Sequence, residues 1–458
     1  VQGDAFGETP AQGSLSGEQP VTGFQGSYLA NSFHNGDDSR GILTSKPFRI
    51  ERDFINFLIG GGMSEDTYIE LLVGEHRVAK SHSPVESETL QLMSWDVKAY
   101  RGQEASLRIV DNQRGSWGHI LIDAIEQSNQ YKSNIMENYT LTYDISQKYL
   151  LLPIEDSAPE TKVQLMVEGK EVGVAMDIRL AKTHIEYWLP LPVDAYRGKK
   201  ISLVFGQAMK GDMGISQIKP SDTFDLNYDE PYRPYYHFTP EYGWMNDPNG
   251  MVYHNGEYHL FYQYNPYGSQ WENMTWAHST SKDLIHWKNQ GEAIQPDALG
   301  TIFSGNSVVD KENTAGFGKD AVVAFYTSAG AAQTQSIAYS TDNGETFKKY
   351  ANNPILTSDV PDFRDPNVFW NEEVKQWNLI LAAGQQMNIY ISKNLKDWKY
   401  ESSFGEGYGN HGGVWECPDL LKMGGKWVLV CNINPGGPFG GSATQYFVGS
   451  FDGHKFTC

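Results

Sequence analysis

A short polar turn that recurs through the second half of this chain constrains its fold most. Ser281-Lys282-Asp283 leads to Trp287, Ser340-Thr341-Asp342 to Phe347, Ser392-Lys393-Asn394 to Trp398, and Ser450-Phe451-Asp452 to Phe456. The serines stand 59, 52 and 58 residues apart. Ser, Asp and Asn close such turns by bonding backbone groups a few residues on, and the preceding runs, such as Ile337-Ala338-Tyr339, are strand-like. One polar hairpin per fifty-odd residues matches the four-stranded blade of a β-propeller, a unit that buries its faces only against neighbouring blades. Four hairpins predict at least four blades over residues 229–458.

A longer repeat organises the first half. Val97-Lys98-Ala99-Tyr100-Arg101-Gly102 returns as Val193-Asp194-Ala195-Tyr196-Arg197-Gly198, an offset of 96 residues. The upstream run Ile69-Glu70-Leu71-Leu72-Val73 is echoed by Val163-Gln164-Leu165-Met166-Val167. A repeat of this length is a domain, and short strands between turn residues point to two β-sandwich modules, 25–130 and 131–228. Residues 1–24, rich in Gly, Ser, Gln and Pro, read as an N-terminal arm, and helical periodicity is scarce. The expected fold class is all-β: an arm, two tandem sandwiches, and a propeller from 229 onward.

The net charge of −20 repels phosphate backbones and anionic lipid, which argues against nucleic-acid and membrane partners and leaves a neutral ligand compatible. No apolar run approaches the roughly 20 residues that span a bilayer. The three cysteines, Cys417, Cys431 and Cys458, are too few for a disulfide framework. Cys417 and Cys431 flank a Gly424-Gly425 hairpin, and free thiols are the expectation there. His237, His254, His259 and His278 have no metal-ligand spacing, and Gly-x-Ser-x-Gly is absent. No metal and no cofactor is expected.

Three carboxylates carry the chemistry. Asp247 lies in Trp244-Met245-Asn246-Asp247-Pro248-Asn249-Gly250, Asp365 in Arg364-Asp365-Pro366-Asn367, and Glu416 in Trp415-Glu416-Cys417-Pro418-Asp419. Singly, each has a plain structural reading: a turn cap, half of an Arg–Asp ion pair, a strand residue facing solvent. Together they begin different repeat units, and blades bring such positions around one central funnel. Cleavage of a glycosidic bond needs two carboxyl groups, one at the sugar carbon and one at the leaving oxygen. A third acid that grips sugar hydroxyls is a natural companion.

Six segments in order carry a family resemblance: 244–250, His-Leu-Phe-Tyr-Gln-Tyr-Asn-Pro (259–266), Gln-Trp-Glu-Asn-Met-Thr-Trp-Ala-His-Ser (270–279), Phe-Ser-Gly (303–305), Arg-Asp-Pro (364–366) and 415–419. On these, residues 233–458 resemble glycoside hydrolase family 32, the β-fructofuranosidases, including levanases and inulinases. The tandem modules look like those of gut-bacterial fructan-degrading enzymes. The resemblance implies Asp247 as nucleophile, Glu416 as general acid/base and Asp365 as the residue holding fructose hydroxyls, with Asn246, Gln263, Trp271, Ser304 and Arg364 lining the fructosyl pocket. It implies a retaining hydrolase releasing fructose from levan or inulin, or from sucrose, in an extracytoplasmic setting. An endo-levanase, a fructosyltransferase on the same scaffold and a non-catalytic glycan-binding protein are the alternatives. The family's propeller has five blades and a C-terminal sandwich. Four hairpins here create the expectation of an incomplete propeller, finished by a further C-terminal segment or a second polypeptide.

Overall fold

A computed structural model describes residues 1–133, 135–209, 211–226 and 228–458, without the side chains of Met136, Glu137, Asn138 and Gln207. Asn138, the first of two Asn-x-Thr matches, is therefore outside the described side chains. Among the described residues the regular structure is almost entirely antiparallel strand, with one five-residue α-helix, Met213–Gln217.

The first unit has two sheets. One runs Gln2–Gly3, Gly41–Thr44, Glu104–Asp111, Thr67–Val73, His76–Ser81; the other runs Ala30–Asn31, Ile120–Ser128, Phe54–Gly61, Ser87–Asp96. Alternating residues of both, including Ile55, Phe57, Ile69, Leu71 and Ile109, share one core. The N-terminal arm is fastened to this unit. Gln2 and Gly3 pair with Ile42 and Gly41, Ala5 and Phe6 enter the core, and Val21 packs with Leu29, Leu58 and Leu90. Few apolar residues in a polar stretch suffice, since each fully buried one contributes roughly 1–3 kcal/mol.

The second unit repeats the first. Its sheets run Ile135–Asp144, Lys200–Met209, Thr161–Val167, Lys170–Ile178 and Tyr187–Pro192, Tyr149–Ile154, Lys219–Ser221. Strand for strand, the first order matches 41–44, 104–111, 67–73, 76–81, and the second matches 87–96, 54–61, 120–128. The repeated Ala-Tyr-Arg-Gly sequence forms the same one-turn 3-10 helix in both, at Lys98–Tyr100 and Asp194–Tyr196. In each, a buried Val (97 or 193) precedes the turn, its carbonyl accepts from the Tyr amide at 2.9 Å, and Gly102 or Gly198 ends it at positive φ. Leu150, Leu165, Leu203 and Phe205 anchor the second core.

Residues 244–457 form four four-stranded antiparallel sheets, each in sequence order. Their first strands, Trp244–His254, Thr301–Asp310, Phe363–Asn371 and Val414–Met423, lie side by side in succession, as the inner strands of propeller blades do. The recurring Ser-x-Asp/Asn turns join third strand to fourth. Ser281 Oγ accepts from Leu284 N at 2.9 Å, Ser392 Oγ from Leu395 N at 3.0 Å, and Ser340 Oγ from Gly344 N at 2.8 Å. Asp283, Asp342, Asn394 and Asp452 each take one or two further amides.

Candidate active site

Every inner strand is interrupted at one level by a β-bulge. The register slips between Met245 and Pro248, Phe303 and Gly305, Arg364 and Asn367, and Glu416 and Asp419. The local sequences share one logic: Asp247-Pro248-Asn249, Ser304-Gly305-Asn306, Asp365-Pro366-Asn367 and Cys417-Pro418-Asp419. Proline has no N–H to leave unpaired where the ladder breaks. Gly305 serves where backbone must approach, since a Cβ there would meet the Phe325 carbonyl oxygen at 2.0 Å.

The last residue of each triplet ties its strand to a neighbour. Asn249 Nδ2 reaches Ser304 Oγ at 3.4 Å, Asn306 exchanges bonds with Val368 N and O at 2.9 and 2.8 Å, and Asn367 Nδ2 donates to Asp419 Oδ1 at 2.8 Å. The first residues point to one place. Asp365 and Cys417 pay for this with φ of 63° and 47°, a strain on the order of 1–3 kcal/mol each that clusters where function demands it.

The place is an open cavity of about 820 Å³, lined by Asn246, Asp247, Gln263, Trp271, Arg364, Asp365 and Glu416, seven of the eight residues singled out from sequence. The eighth, Ser304, is buried beneath it and donates to Asp247 Oδ2 at 2.7 Å. Asn246 Nδ2 bonds Asp247 Oδ1 at 3.3 Å and Gln263 Oε1 at 2.8 Å. Arg364 Nη2 pairs with Glu416 Oε1 at 2.9 Å, its Nη1 with Asp362 Oδ1 at 2.6 Å, and its Nε lies 3.9 Å from Asp365 Oδ2. These carboxylates hold the Arg364 guanidinium above its ordinary range against the opposing effect of burial.

Asp365 is only 5% exposed. Burial pushes its carboxyl up to about 6; the Cys417 amide (2.9 Å) and Arg364 oppose this, and the nearby Asp247 and Glu416 add to it. The Cys417 thiol lies 3.7 Å from Asp247 Oδ2 and 3.6 Å from Asp365 Oδ2. Burial, and then the three acids, raise it far above a normal thiol, so it is a neutral spacer between carboxylates. All three cysteines are free.

Sequence reasoning passed over Asp362, Gln333, Asn432, Asn434 and Thr444, which also line the cavity. Asp362, two residues before Arg364, was findable as its partner. Gln333, Asn432, Asn434 and Thr444 sit on second and third strands or their ends, with no motif to mark them. His259 and His278 stack away from the cavity with ring centroids 5.1 Å apart and His259 Nδ1 3.0 Å from His278 Nε2, and burial with the adjacent ring pushes His278 down to about 3. A larger cavity of about 980 Å³ lies between the second unit and the first sheet, walled by Trp188, Phe224, Tyr242 and Trp244. None of the three carboxylates reaches it.

Three of the four bulged sheets bring a carboxylate to one cleft, the groups that cleavage of a glycosidic bond calls for. Residues 237–458 match the model of the glycosyl hydrolases family 32 N-terminal domain. Residues 136–236 match a domain of unknown function, DUF4980. The chain is 56% identical over 241 residues to the levanase of Bacillus subtilis, covering 50% of this chain and 36% of that protein. It is 48% identical over 272 residues to the extracellular exo-inulinase of Aspergillus niger, covering 51% of this chain and 50% of that protein. Among solved structures, the exo-inulinase of Aspergillus awamori is 46% identical, with 50% of this chain and 52% of that chain covered and a TM-score of 0.47. The chain thus spans about half or less of the length of these relatives.

Proposed function

We propose that the protein is a retaining β-fructosidase that releases fructose from fructans such as levan or inulin. The observation that carries the reading is the meeting of Asp247, Asp365 and Glu416, from three different sheets, in one cavity. The levanase and exo-inulinase relatives support the substrate class. The same reading takes the four sheets as blades of a five-bladed propeller preceded by tandem β-sandwiches. An extracytoplasmic location accords with relatives described as extracellular; among the described residues no helix is long and apolar enough to cross a membrane.

The proposed chemistry is a double displacement. Asp247 attacks the anomeric carbon of a terminal β-fructofuranosyl unit while Glu416 protonates the departing glycosidic oxygen; the carbon–oxygen bond to the leaving group breaks as the one to Asp247 forms. Water, deprotonated by Glu416, then attacks the same carbon, frees fructose and restores both groups. Ser304 and Asn246 engage opposite oxygens of Asp247 and so fix its plane. In the second step Glu416 acts as a carboxylate, and Arg364 stands in place to hold it. The transition state is cationic, and a cavity walled by acids suits it electrostatically. Asp365 is placed to bind fructose hydroxyls, and Trp271 to give the ring an apolar wall.

Fructose release from levan, inulin and sucrose, followed by chromatography, tests this. Asp247→Ala and Glu416→Ala should each lose several orders of magnitude in kcat. Fructose as the sole early product marks exo action; a ladder of oligosaccharides would move the reading to an endo-levanase. Near-parental activity in Asp247→Ala would overturn the mechanism.

A further inference from the structure

The loop that carries Trp271 is held from outside its own sheet. Ser269 Oγ donates to Asp156 Oδ2, and Gln270 Nε2 to the Asp156 carbonyl at 2.9 Å. Arg179 Nη2 donates to Glu272 Oε1 at 2.8 Å, with both side chains largely buried. Asn273 Oδ1 accepts from Asp177 N at 2.9 Å while its Nδ2 donates to Asp177 O at 2.8 Å, mimicking a strand partner. Asp156, Asp177 and Arg179 all belong to the second N-terminal unit. Residues 269, 270, 272 and 273 are thus bound to another unit, while 271 between them faces the cavity.

The loop's own support is thinner. Asn265 caps it, accepting from Tyr267 N at 2.9 Å and donating to Gln270 O at 2.9 Å. Trp271 itself is 50% exposed and touches Phe303 edge-on with ring centroids 5.7 Å apart. Asn273 stands at φ 48°, a left-handed conformation that costs energy unless its surroundings over-determine it. The two hydrogen bonds to Asp177, with a third from Asn273 Nδ2 to Asn265 Oδ1 at 3.1 Å, supply that determination. Asp156 is in turn fixed by Tyr187 OH, and Arg179 by the Ala158 carbonyl at 3.0 Å and by Glu160. The clamp therefore rests on the 155–160 loop, which is itself tied to Arg179 and to Tyr187 on the strand Tyr187–Pro192.

We infer that the second N-terminal unit is a structural part of the fructosyl pocket, and that Asp156 and Arg179 are positioning residues that set Trp271 against the sugar. The inference rests on Trp271 being a pocket wall, as proposed above. Neither residue reaches the reacting atoms. Their loss acts on how well the ring is seated, hence on KM, and leaves the displacement by Asp247 and Glu416 intact.

The test uses the full-length protein with Asp156→Ala and Arg179→Ala combined, read by hydrogen exchange and by fructose-release kinetics. Backbone amides of 267–273 should exchange at least about tenfold faster while the strands of the four sheets keep their protection. KM should rise on the order of fivefold to tenfold with kcat nearly unchanged. Arg179→Lys, which keeps a cation opposite Glu272, should recover much of the KM. In a Trp271→Ala background the same pair should add almost nothing, because both changes remove one interaction. If the double variant loses its fold, Ser269→Ala, which deletes one hydroxyl, should show the same KM-only direction to a smaller degree. Unchanged exchange in the loop, a fall in kcat at constant KM, or full additivity with Trp271→Ala would each overturn the inference. A parent protein that releases no fructose would count against the proposed function, while loop exchange would still decide the clamp.

Discussion

Asp365 concentrates the tension of the site in one side chain. It is buried at a strained φ beside two other acids, and its carboxyl is raised to about 6, above an ordinary value near 4. The native state therefore holds a proton that the unfolded chain releases between about pH 4 and pH 6. Stability from this group is fully present below about pH 4 and is lost as pH rises through 6. Asp365→Asn removes the ionisation and keeps an acceptor for the Cys417 amide. It should be more stable than the parent above pH 6, by on the order of 2 kcal/mol, and nearly equal to it below pH 4. Its hydrolytic activity should fall by orders of magnitude. Urea unfolding at pH 4 and pH 7 checks this, and a gap that is the same at both pH values would contradict it.

The bulged inner strand is the element that makes the site. Four sequence triplets, Asp-Pro-Asn, Ser-Gly-Asn, Asp-Pro-Asn and Cys-Pro-Asp, each direct one side chain toward a neighbouring strand and one toward the cavity, where Ser304 stops beneath the surface against Asp247. Gly305→Ala tests the element without touching a polar group. Its Cβ would collide with the Phe325 carbonyl oxygen, so the bulge must shift, at a cost of about 1–3 kcal/mol or more. Ser304 would then leave Asp247, and kcat should drop with the stability. Thermal unfolding and fructose release measured together would show it; an unperturbed variant would mean that the bulge does not hold Ser304.

These triplets show what the sequence made legible. The polar hairpins were plain because Ser and Asp bond locally, so their geometry depends on nothing distant. The 96-residue repeat was plain because it preserves a turn, a buried Val and a positive-φ Gly. Asp247, Asp365 and Glu416 were legible through their Pro and aromatic neighbours. Gln333, Asn432 and Thr444 were not, because a polar residue in a strand signals a site only once the strand's place around the funnel is known. The clamp on Trp271 was hidden for the same reason: Asp156 and Asn273 are far apart in sequence, and neither is unusual in its local context. The arm's attachment rests on Ala5, Phe6 and Val21, too few to show through a polar composition.

At the scale of the whole molecule, the net charge of −20 gives no electrostatic steering to a neutral sugar, the substrate class proposed above. The ratio kcat/KM on levan or inulin should therefore change less than about twofold between low and physiological salt. A steep salt dependence would point to a charged ligand and against a fructan.

The central claim is that Asp247 and Glu416 act as a nucleophile and acid/base pair, and trapping the covalent intermediate tests it most directly. In Glu416→Ala, a fructosyl donor whose leaving group needs no proton should still react at the first step, while the second, lacking its base, should stall. Mass spectrometry of the digested protein should then find one fructosyl unit on the peptide containing Asp247, and added azide should release it as the β-fructosyl azide. No adduct under these conditions, an adduct on another residue, or an azide product of inverted configuration would contradict the account.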